Sequence, residues 1–193
     1  MTSLVLLRHG ESTANAGDVF AGQRDVPLTP AGIREARAAA ATLAGWRPAV
    51  VHTSPLVRAA DTAVLVRDLL APDVAVTHRS ALVERHYGVL QGLRRADARV
   101  RFGPEAVARW RRTPHGLPPG GESLATVYER LRPYWHEGLL PLLESGRSVL
   151  VVAHGNSLRM LLAHVSGLDL AEASAVEIAT AAPLRPEVRL PAR

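Results

Sequence analysis

Two histidines stand where an α/β sheet would present them to a ligand. His9 and His154 each follow an apolar run of strand length, and each is followed by a glycine. The carboxyl ends of adjacent parallel strands meet at one edge of a sheet, so these positions could bring two imidazole rings together. A neutral imidazole nitrogen can attack phosphorus, while a second histidine and arginines such as Arg8 neutralise the phosphoryl oxygens. The pattern therefore indicates phosphoryl transfer.

Neither histidine carries this inference alone, because a single His-Gly pair at a strand end more often marks a turn. Gly10 and Gly155 would let backbone N–H groups approach a phosphate closely. A helix predicted to begin at Asn156 would direct its positive end to the same place. No HExxH pattern is present, and no metal is expected. The remaining histidines are predicted to be structural or surface residues: His52, His78, His86, His115, His136 and His164.

The elements that must position these residues are those of an α/β protein, since strand-length apolar runs alternate with helical patterns. Strands are predicted at Ser3–Leu7, Ala49–His52, Val74–Thr77 and Ser148–Val152. Helices are predicted from Pro30 after the cap Thr29, over Pro104–Arg112, from Glu122 with an interruption at Pro133, and from Asn156. The chain, residues 1–193, is predicted to form one three-layer α/β/α domain with a mostly parallel central sheet. Residues 78–121 are predicted to be an irregular excursion over the site, and 184–193 a mobile tail.

One further helix matters for the site because it would carry an arginine in its first turn. Ser54 and Pro55 resemble a helix cap and a first helical proline, so this helix is predicted to start beside them, with Arg58 in its first turn. The apolar spacing predicts the following inward-facing residues: Leu56, Ala60, Ala63 and Val64.

The composition limits the classes of function. The 193 residues include no cysteine, which excludes disulfides and thiolate chemistry, and all 23 basic side chains are arginine. The formal charge of +5 could indicate nucleic-acid binding, but the arginines are scattered and only 4% of residues are aromatic. A pocket for a small anion is favoured, because the guanidinium fork donates paired hydrogen bonds to phosphate and carboxylate. No apolar run is long enough to span a membrane, so a cytoplasmic protein without a membrane partner is expected.

From Leu4 to about Pro183 the chain resembles the histidine phosphatase superfamily and, within it, the cofactor-dependent phosphoglycerate mutases. The RHG triplet alone is a weak signal, whereas the later motifs in this order are highly specific. The motifs are LLRHGESTAN (6–15), FAG (20–22), TSPLVRAADT (53–62), ERHYGVLQG (84–92), WRR (110–112), PPGGESL (118–124), RPYW (132–135) and VVAHGNSLR (151–159).

The resemblance implies a role for each catalytic position. It implies that His9 is the nucleophile and that Arg8, Arg58 and His154 clamp the phosphoryl group. It further implies that Glu84 passes a proton to the leaving hydroxyl and takes one from the incoming hydroxyl. Without the ERHYG context, a glutamate among so many cations would be interpreted as an ion-pair partner.

A second set of residues is implied to bind the substrate. Arg111 and Arg112 match positions that hold the carboxylate and distal phosphate in the family, and an unspecialised phosphatase has no need of them. Arg95 stands where lysine is usual. The substrate-binding residues implied are Ser12, Asn15, Gly22, Tyr87, Arg95, Arg111, Arg112, Gly155 and Asn156.

The leading hypothesis is a phosphoglycerate mutase that interconverts 3-phosphoglycerate and 2-phosphoglycerate through phosphohistidine, with 2,3-bisphosphoglycerate as primer. The expected partner is thus a small phosphorylated carboxylic acid, and a homo-oligomer is possible. Departures from the family pattern keep two alternatives open. Ala21 replaces a usual threonine, Gln23 a usual tryptophan, and the ending Thr180–Pro183 lacks an aromatic residue. Ala21 and the altered ending suit a phosphatase for another small acidic phosphometabolite. The third hypothesis is a catalytically silent module that binds anions or nucleic acid.

Overall fold

A five-stranded sheet forms the centre of the protein, whose computed structural model describes residues 3–189. The strands are β1 (Leu4–Arg8), β2 (Val50–Thr53), β3 (Val76–His78), β4 (Val149–Ala153) and β5 (Pro183–Leu184). Their spatial order is β3-β2-β4-β1-β5, in which the first four are parallel and β5 runs antiparallel to β1. The predicted α/β class with a mostly parallel sheet is confirmed.

Helices cover both faces of this sheet. They are α1 (Thr13–Ala16), α2 (Pro30–Thr42), α3 (Val57–Leu70), α4 (Arg95–Phe102), α5 (Pro104–Arg112), α6 (Leu124–Pro133), α7 (Leu140–Glu144), α8 (Gly155–Ser166) and α9 (Leu170–Ala175). Single 3₁₀ turns lie at Ser80–Leu82 and Gly88–Leu90, and a π-helical segment, Tyr134–Leu139, joins α6 to α7. Pro133 ends the regular α-helical pattern, as predicted, because proline supplies no N–H to the ladder.

The alternation of side chains along β1 divides the core into two layers. Leu4 and Leu6 face α6 to α9, whereas Val5 and Leu7 face α2 and α3. All four side chains are almost completely buried. A strand that is apolar on both faces must lie inside a three-layer structure, and this explains the continuous apolar run in the sequence.

Helix α3 differs from the prediction in its cap and in its buried face. It begins at Val57 rather than beside Ser54, and its first free N–H is bonded to the carboxylate of Asp25 at 2.7 Å. Its buried residues are Arg58, Ala59, Thr62, Ala63 and Val66, while Val64 is 39% exposed. The prediction is confirmed for Ala63, whereas Leu56 and Ala60 are only partly buried and the inward position of Val64 was wrong. The buried face includes Arg58, which the apolar spacing does not count as an inward-facing residue.

The excursion over the site is more regular than predicted. The helix Pro104–Arg112 is confirmed, but α4 was not predicted, because only Ala98 of its eight residues is buried. A small separate core supports both helices and is formed by Phe20, Leu90, Ala98 and Val107. The excursion therefore has its own packing, which fixes the arginines on α4 and α5 relative to the sheet.

Arg85 ties this excursion together from inside. Its side chain is fully buried and donates to the carbonyls of Trp110 (2.7 Å), Gly116 (2.6 Å) and Glu122 (2.6 Å). Replacing Arg85 with methionine should lower the free energy of unfolding by about 3 kcal/mol or more, because one buried and two partly buried carbonyls lose their donor. Urea unfolding would measure the loss. The exposed Arg99 on α4 provides the control, since Arg99→Met should change stability by less than about 0.5 kcal/mol.

The chain after α9 returns to the sheet. Pro183 and Leu184 pair with β1, and Arg189 N donates to the Val165 carbonyl at 2.8 Å. The mobility expected for residues 184–193 stays a prediction, and 190–193 lie outside the described residues. Among residues 3–189, no helix has the length and hydropathy that crossing a membrane requires.

Candidate active site

The pairing of β1 with β4 brings the two histidines together. Arg8 stands opposite Ala153 in the parallel register, and His9 N donates to the Ala153 carbonyl at 3.0 Å. The next residues in the two strands, His9 and His154, therefore leave the sheet side by side. Their ring centroids are 5.0 Å apart with an interplanar angle of 60°. The sequence-based expectation that these rings meet is confirmed.

Hydrogen bonds fix which nitrogen of His9 carries the proton. Nδ1 lies 2.7 Å from the Gly10 carbonyl, which can only accept, so Nδ1 is the donor. Nε2 lies 3.3 Å from Nε of Arg58, which can only donate, so Nε2 carries a lone pair. The arrangement leaves the nucleophilic electron pair of His9 on Nε2, beside a guanidinium that can also bind a phosphoryl oxygen.

Both imidazoles are held neutral. Burial, reinforced by the positive charge of Arg58, lowers the pKa of His9 to about 3. Burial and then the neighbouring His9 lower the pKa of His154 well below its ordinary value. A protonated imidazole has no lone pair for phosphorus, so a lowered pKa keeps His9 competent at neutral pH.

The buried histidines predict a marked pH dependence of stability. Unfolded histidine has a pKa near 6.5, whereas burial lowers that of His9 to about 3 and that of His52 to about 4. The unfolded state thus binds more protons below pH 6.5. The free energy of unfolding should fall with decreasing pH by about 1.4 kcal/mol per unit for each such histidine. Urea unfolding at about pH 7, 6 and 5 would measure this slope.

A matched pair of variants separates buried from exposed histidines. His52→Gln should remove about one proton from the difference between the folded and unfolded states and so flatten the slope. The exposed His115 should have no such effect when replaced by glutamine. Equal slopes for wild type, His52→Gln and His115→Gln would contradict this account.

Arg58 and Arg8 lie near His9, and backbone carbonyls hold both side chains in place. Arg58 is 1% exposed and also donates to the carbonyls of Gly22 (2.8 Å) and Arg24 (2.9 Å). The Gly22 backbone has a φ of +55°, which favours glycine, and this conformation directs its carbonyl to Arg58. Arg8 donates from one terminal nitrogen to the Ile178 carbonyl at 3.0 Å, while its buried Nε has no partner among the described residues. Burial lowers the pKa of both guanidinium groups.

Glu84 lines the same cavity and is held by backbone donors. Its Oε1 accepts from Arg85 N at 2.7 Å and its Oε2 accepts from Asn156 N at 3.4 Å. The Asn156 side chain in turn donates to the Tyr87 hydroxyl at 2.8 Å. The Glu84 side chain therefore has a fixed orientation in the cavity, which suits proton exchange with a bound hydroxyl.

These groups line one cavity of about 470 Å³. Of the site residues predicted from the sequence, all line it except His154, which is fully buried behind the His9 ring. The cavity residues that were predicted are Arg8, His9, Ser12, Asn15, Gly22, Arg58, Glu84, Tyr87, Arg95, Arg111, Arg112, Gly155 and Asn156.

Two of the predicted substrate-binding arginines lie near the ring of Phe20. The guanidinium carbons of Arg95 and Arg111 lie 5.9 Å and 5.6 Å from the centroid of Phe20, and Phe20 lies 5.0 Å from Tyr87. Burial, followed by the charge of Arg95, lowers the pKa of Arg111. The face of the Phe20 ring stabilises the two positive charges of Arg95 and Arg111, so this part of the cavity attracts anions.

Ser12 and Asn15 bond mainly to each other. The Asn15 carbonyl oxygen accepts from Ser12 N (3.0 Å) and Ser12 Oγ (2.7 Å) at the start of α1. This leaves the amide nitrogen of Asn15 as the group that could donate to a ligand.

Sequence reasoning missed part of the cavity lining. Arg159 was quoted within a motif but given no role, although it lies one helical turn after Gly155 and thus on the same face of α8. Phe20 was likewise given no role. Residues 174–177, which form one wall of the cavity, lie in a region with no distinctive pattern. No cluster of three metal-binding side chains occurs within residues 3–189, and the expectation that no metal is required stays a prediction.

Comparison with known proteins places this geometry in a family context. The chain is 44% identical over 185 residues to 2,3-bisphosphoglycerate-dependent phosphoglycerate mutase 2 of Gloeobacter violaceus, which covers 95% of this chain and 84% of the relative. It is 45% identical to the 2,3-bisphosphoglycerate-dependent phosphoglycerate mutase of a Methylobacterium species, with 94% and 88% covered.

The fold is also similar to solved structures of phosphatases. A mycobacterial glucosyl-3-phosphoglycerate phosphatase in complex with VO3 superposes with a TM-score of 0.82 at 35% identity, over 92% of this chain and 88% of that one. The model of the histidine phosphatase superfamily, branch 1, matches residues 4–185. With the two histidines and their arginines placed as described, the chain belongs to the histidine phosphatase superfamily, branch 1.

Proposed function

We propose that this protein is a phosphoglycerate mutase that interconverts 3-phosphoglycerate and 2-phosphoglycerate through a phosphorylated His9. The observation that carries the proposal is a single cavity lined by His9, whose Nε2 carries the lone pair, and also by Arg95, Arg111 and Arg112. A phosphate at His9 and a carboxylate at these arginines would use both sets of groups. The curated relatives that are more than 40% identical carry the same activity in their names.

Phosphoryl transfer in this cavity follows from the described contacts. With His9 phosphorylated, the oxygen of the substrate's free hydroxyl forms a bond to phosphorus as the P–Nε2 bond breaks, and Glu84 takes the hydroxyl proton. Arg8, Arg58 and neutral His154 bind the phosphoryl oxygens, where negative charge must be stabilised in the transition state. The phosphoryl group on the neighbouring oxygen then moves to His9: the P–O bond breaks as the P–Nε2 bond forms again, and Glu84 returns the proton to the oxygen that leaves.

The donor groups fit 2,3-bisphosphoglycerate, the primer proposed for the enzyme. Arg8, Arg58, Arg95, Arg111, Arg112 and Arg159 surround a cavity with only two carboxylates, Glu84 and Glu177. The ring nitrogens of His154 and the Nε atoms of Arg8 and Arg95 are buried without a partner among the described residues, so the single N–H of the neutral imidazole and the two guanidinium N–H groups can donate to anionic oxygens. When bound, 2,3-bisphosphoglycerate supplies the phosphoryl group that His9 carries at the start of the cycle. Such an enzyme would act in glycolysis in the cytoplasm, on a small-molecule partner and without nucleic acid.

The test is an enolase-coupled assay of 3-phosphoglycerate conversion, with and without added 2,3-bisphosphoglycerate. The proposal predicts isomerisation that increases with the primer and exceeds release of inorganic phosphate. Isomerisation that does not respond to the primer would contradict a primed phosphohistidine cycle. Labelling of His9 by a phosphate donor would also exclude a silent anion-binding or nucleic-acid-binding module.

A second candidate function is hydrolysis of another small acidic phosphometabolite. Ala21 lines the cavity and offers no hydroxyl to a ligand, and solved structures at about one-third identity are phosphatases by name. If inorganic phosphate is released from 3-phosphoglycerate or from other acidic phosphometabolites faster than phosphoglycerate is isomerised, this candidate replaces the first. A panel of such metabolites without any release would eliminate it.

A further inference from the structure

Arginines of the site hold one wall of the cavity. The wall, residues 174–177, continues into Ile178, and Nε of Arg159 donates to the Val176 carbonyl at 2.7 Å. Arg8 donates from its side chain to the Ile178 carbonyl at 3.0 Å and accepts at its own carbonyl from Ala181 N at 2.9 Å. Among the described residues, these hydrogen bonds join the segment 174–181 to the end of β1 and to α8.

The Arg159 guanidinium makes a second hydrogen bond, to a residue that contacts Glu84. Its terminal NH1 donates to the Asn156 side-chain oxygen at 3.2 Å. Asn156 then contacts both the Tyr87 hydroxyl and, through its backbone N–H, the carboxylate of Glu84. The Arg159 guanidinium therefore bonds both to the wall, at Val176, and to Asn156, which contacts Glu84.

Contacts other than the Arg159 bond also hold the wall. Val176 N and Ser174 Oγ donate to the carbonyls of Ala173 and Ala171 in α9, and the Val176 side chain packs against the core cluster that contains buried Ile178. Ala175 and Glu177, which line the cavity, are exposed. Among the described residues, the bond from Arg159 to Val176 is the hydrogen bond that joins the backbone of the wall to α8, so we expect it to influence how closely the wall covers the cavity.

We propose that Arg159 is a positioning residue that seats the wall 174–177 over phosphorylated His9 and thereby limits hydrolysis. This proposal rests on the phosphohistidine chemistry of the proposed function. A mutase must keep water from the phosphoenzyme until the acceptor hydroxyl is in place. In the competing reaction, the oxygen of water forms a bond to phosphorus, the P–Nε2 bond breaks, and its electrons return to the imidazole. Both protons of the water leave on dihydrogen phosphate.

The decisive variants are Arg159→Lys and Arg159→Ala. Lysine keeps the positive charge but presents one ammonium centre in place of the planar fork, so it cannot reproduce both bonds. Radiolabelled 2,3-bisphosphoglycerate gives two readouts: the rate at which His9 is labelled reports binding of the donor, and the lifetime of the label once formed reports access of water to the phosphoenzyme. The lifetime of the labelled enzyme in water should shorten by about tenfold in both variants, and the ratio of phosphate release to isomerisation should rise accordingly.

The control is Arg132→Ala on the neighbouring helix α6, where the arginine is exposed and pairs with Glu129. It should leave labelling, lifetime and product ratio unchanged. Thermal unfolding of each variant would show that the fold persists, since loss of structure would abolish labelling rather than shorten the lifetime of the label.

Two outcomes would overturn the proposal. A wild-type lifetime in Arg159→Lys would show that charge alone matters, and slower labelling with an unchanged lifetime in Arg159→Ala would make Arg159 only a ligand-binding cation. A wild-type protein that takes up no label at His9 would overturn the proposed function itself, and this is seen before any variant is compared.

Discussion

Replacing His9 with alanine should lower the conversion of 3-phosphoglycerate by at least about 10⁴-fold, because the cavity then contains no nucleophile at the phosphorus position. His154 is fully buried beside the His9 ring, and its proposed role is to donate a hydrogen bond to a phosphoryl oxygen and not to attack phosphorus. The enolase-coupled assay would measure the loss. Transfer of radiolabel from 2,3-bisphosphoglycerate to protein should disappear with it.

The control for this experiment is His115→Ala, which removes an exposed histidine that does not line the cavity. Its rate and its labelling should equal those of wild type. Persistent labelling of His9→Ala would show that another side chain accepts the phosphoryl group and would refute the assignment of His9. Circular dichroism of both variants would verify that the α/β structure is intact.

Replacing Glu84 with glutamine should reduce turnover of phosphoglycerate by about 10²- to 10⁴-fold. Glutamine keeps an oxygen to accept from Arg85 N but can neither give the leaving oxygen a proton nor take one from the incoming hydroxyl. Phosphorylation of His9 by p-nitrophenyl phosphate should be far less affected, because a phenolate departs without protonation. Comparing the two donors in stopped-flow experiments would separate proton transfer from general damage.

A matched control for the glutamate is Glu129→Gln, which changes an exposed carboxylate on α6. It should preserve both reactions. If Glu84→Gln slowed the phenyl ester and phosphoglycerate equally, Glu84 would act by shaping the cavity and not by moving a proton.

The catalytic centre could be predicted from the sequence because it depends on local signals joined by one simple rule of sheet geometry. The apolar runs before His9 and His154 predicted buried parallel strands, and adjacent strands end at the same edge. The register of Arg8 opposite Ala153 then leaves little freedom for the residue that follows each. The distances 5.0 Å between rings and 3.3 Å from Arg58 to His9 required the structure.

The errors lie where tertiary contacts outweigh local pattern. Val64 was predicted to face inward on α3 but is exposed, and the buried face includes Arg58, a site arginine that apolar spacing alone does not identify as an interior residue. Helix α4 was missed because an arginine-rich segment with one buried alanine has no helical apolar stripe. The cavity wall 174–177 and its contact with Arg159 join residues that no motif connects.

The order of the strands has a consequence for biosynthesis. β1 pairs with β4 on one side and β5 on the other, so the earliest strand to be made has both partners among the last. A nascent polypeptide must carry Leu4–Leu7 without those partners until residues 149–184 have been translated. Pairing between strands so distant in sequence slows folding, and the unpaired apolar segment can aggregate until its partners are available. Molecular chaperones that shield this first segment on the ribosome should therefore raise the yield of native protein.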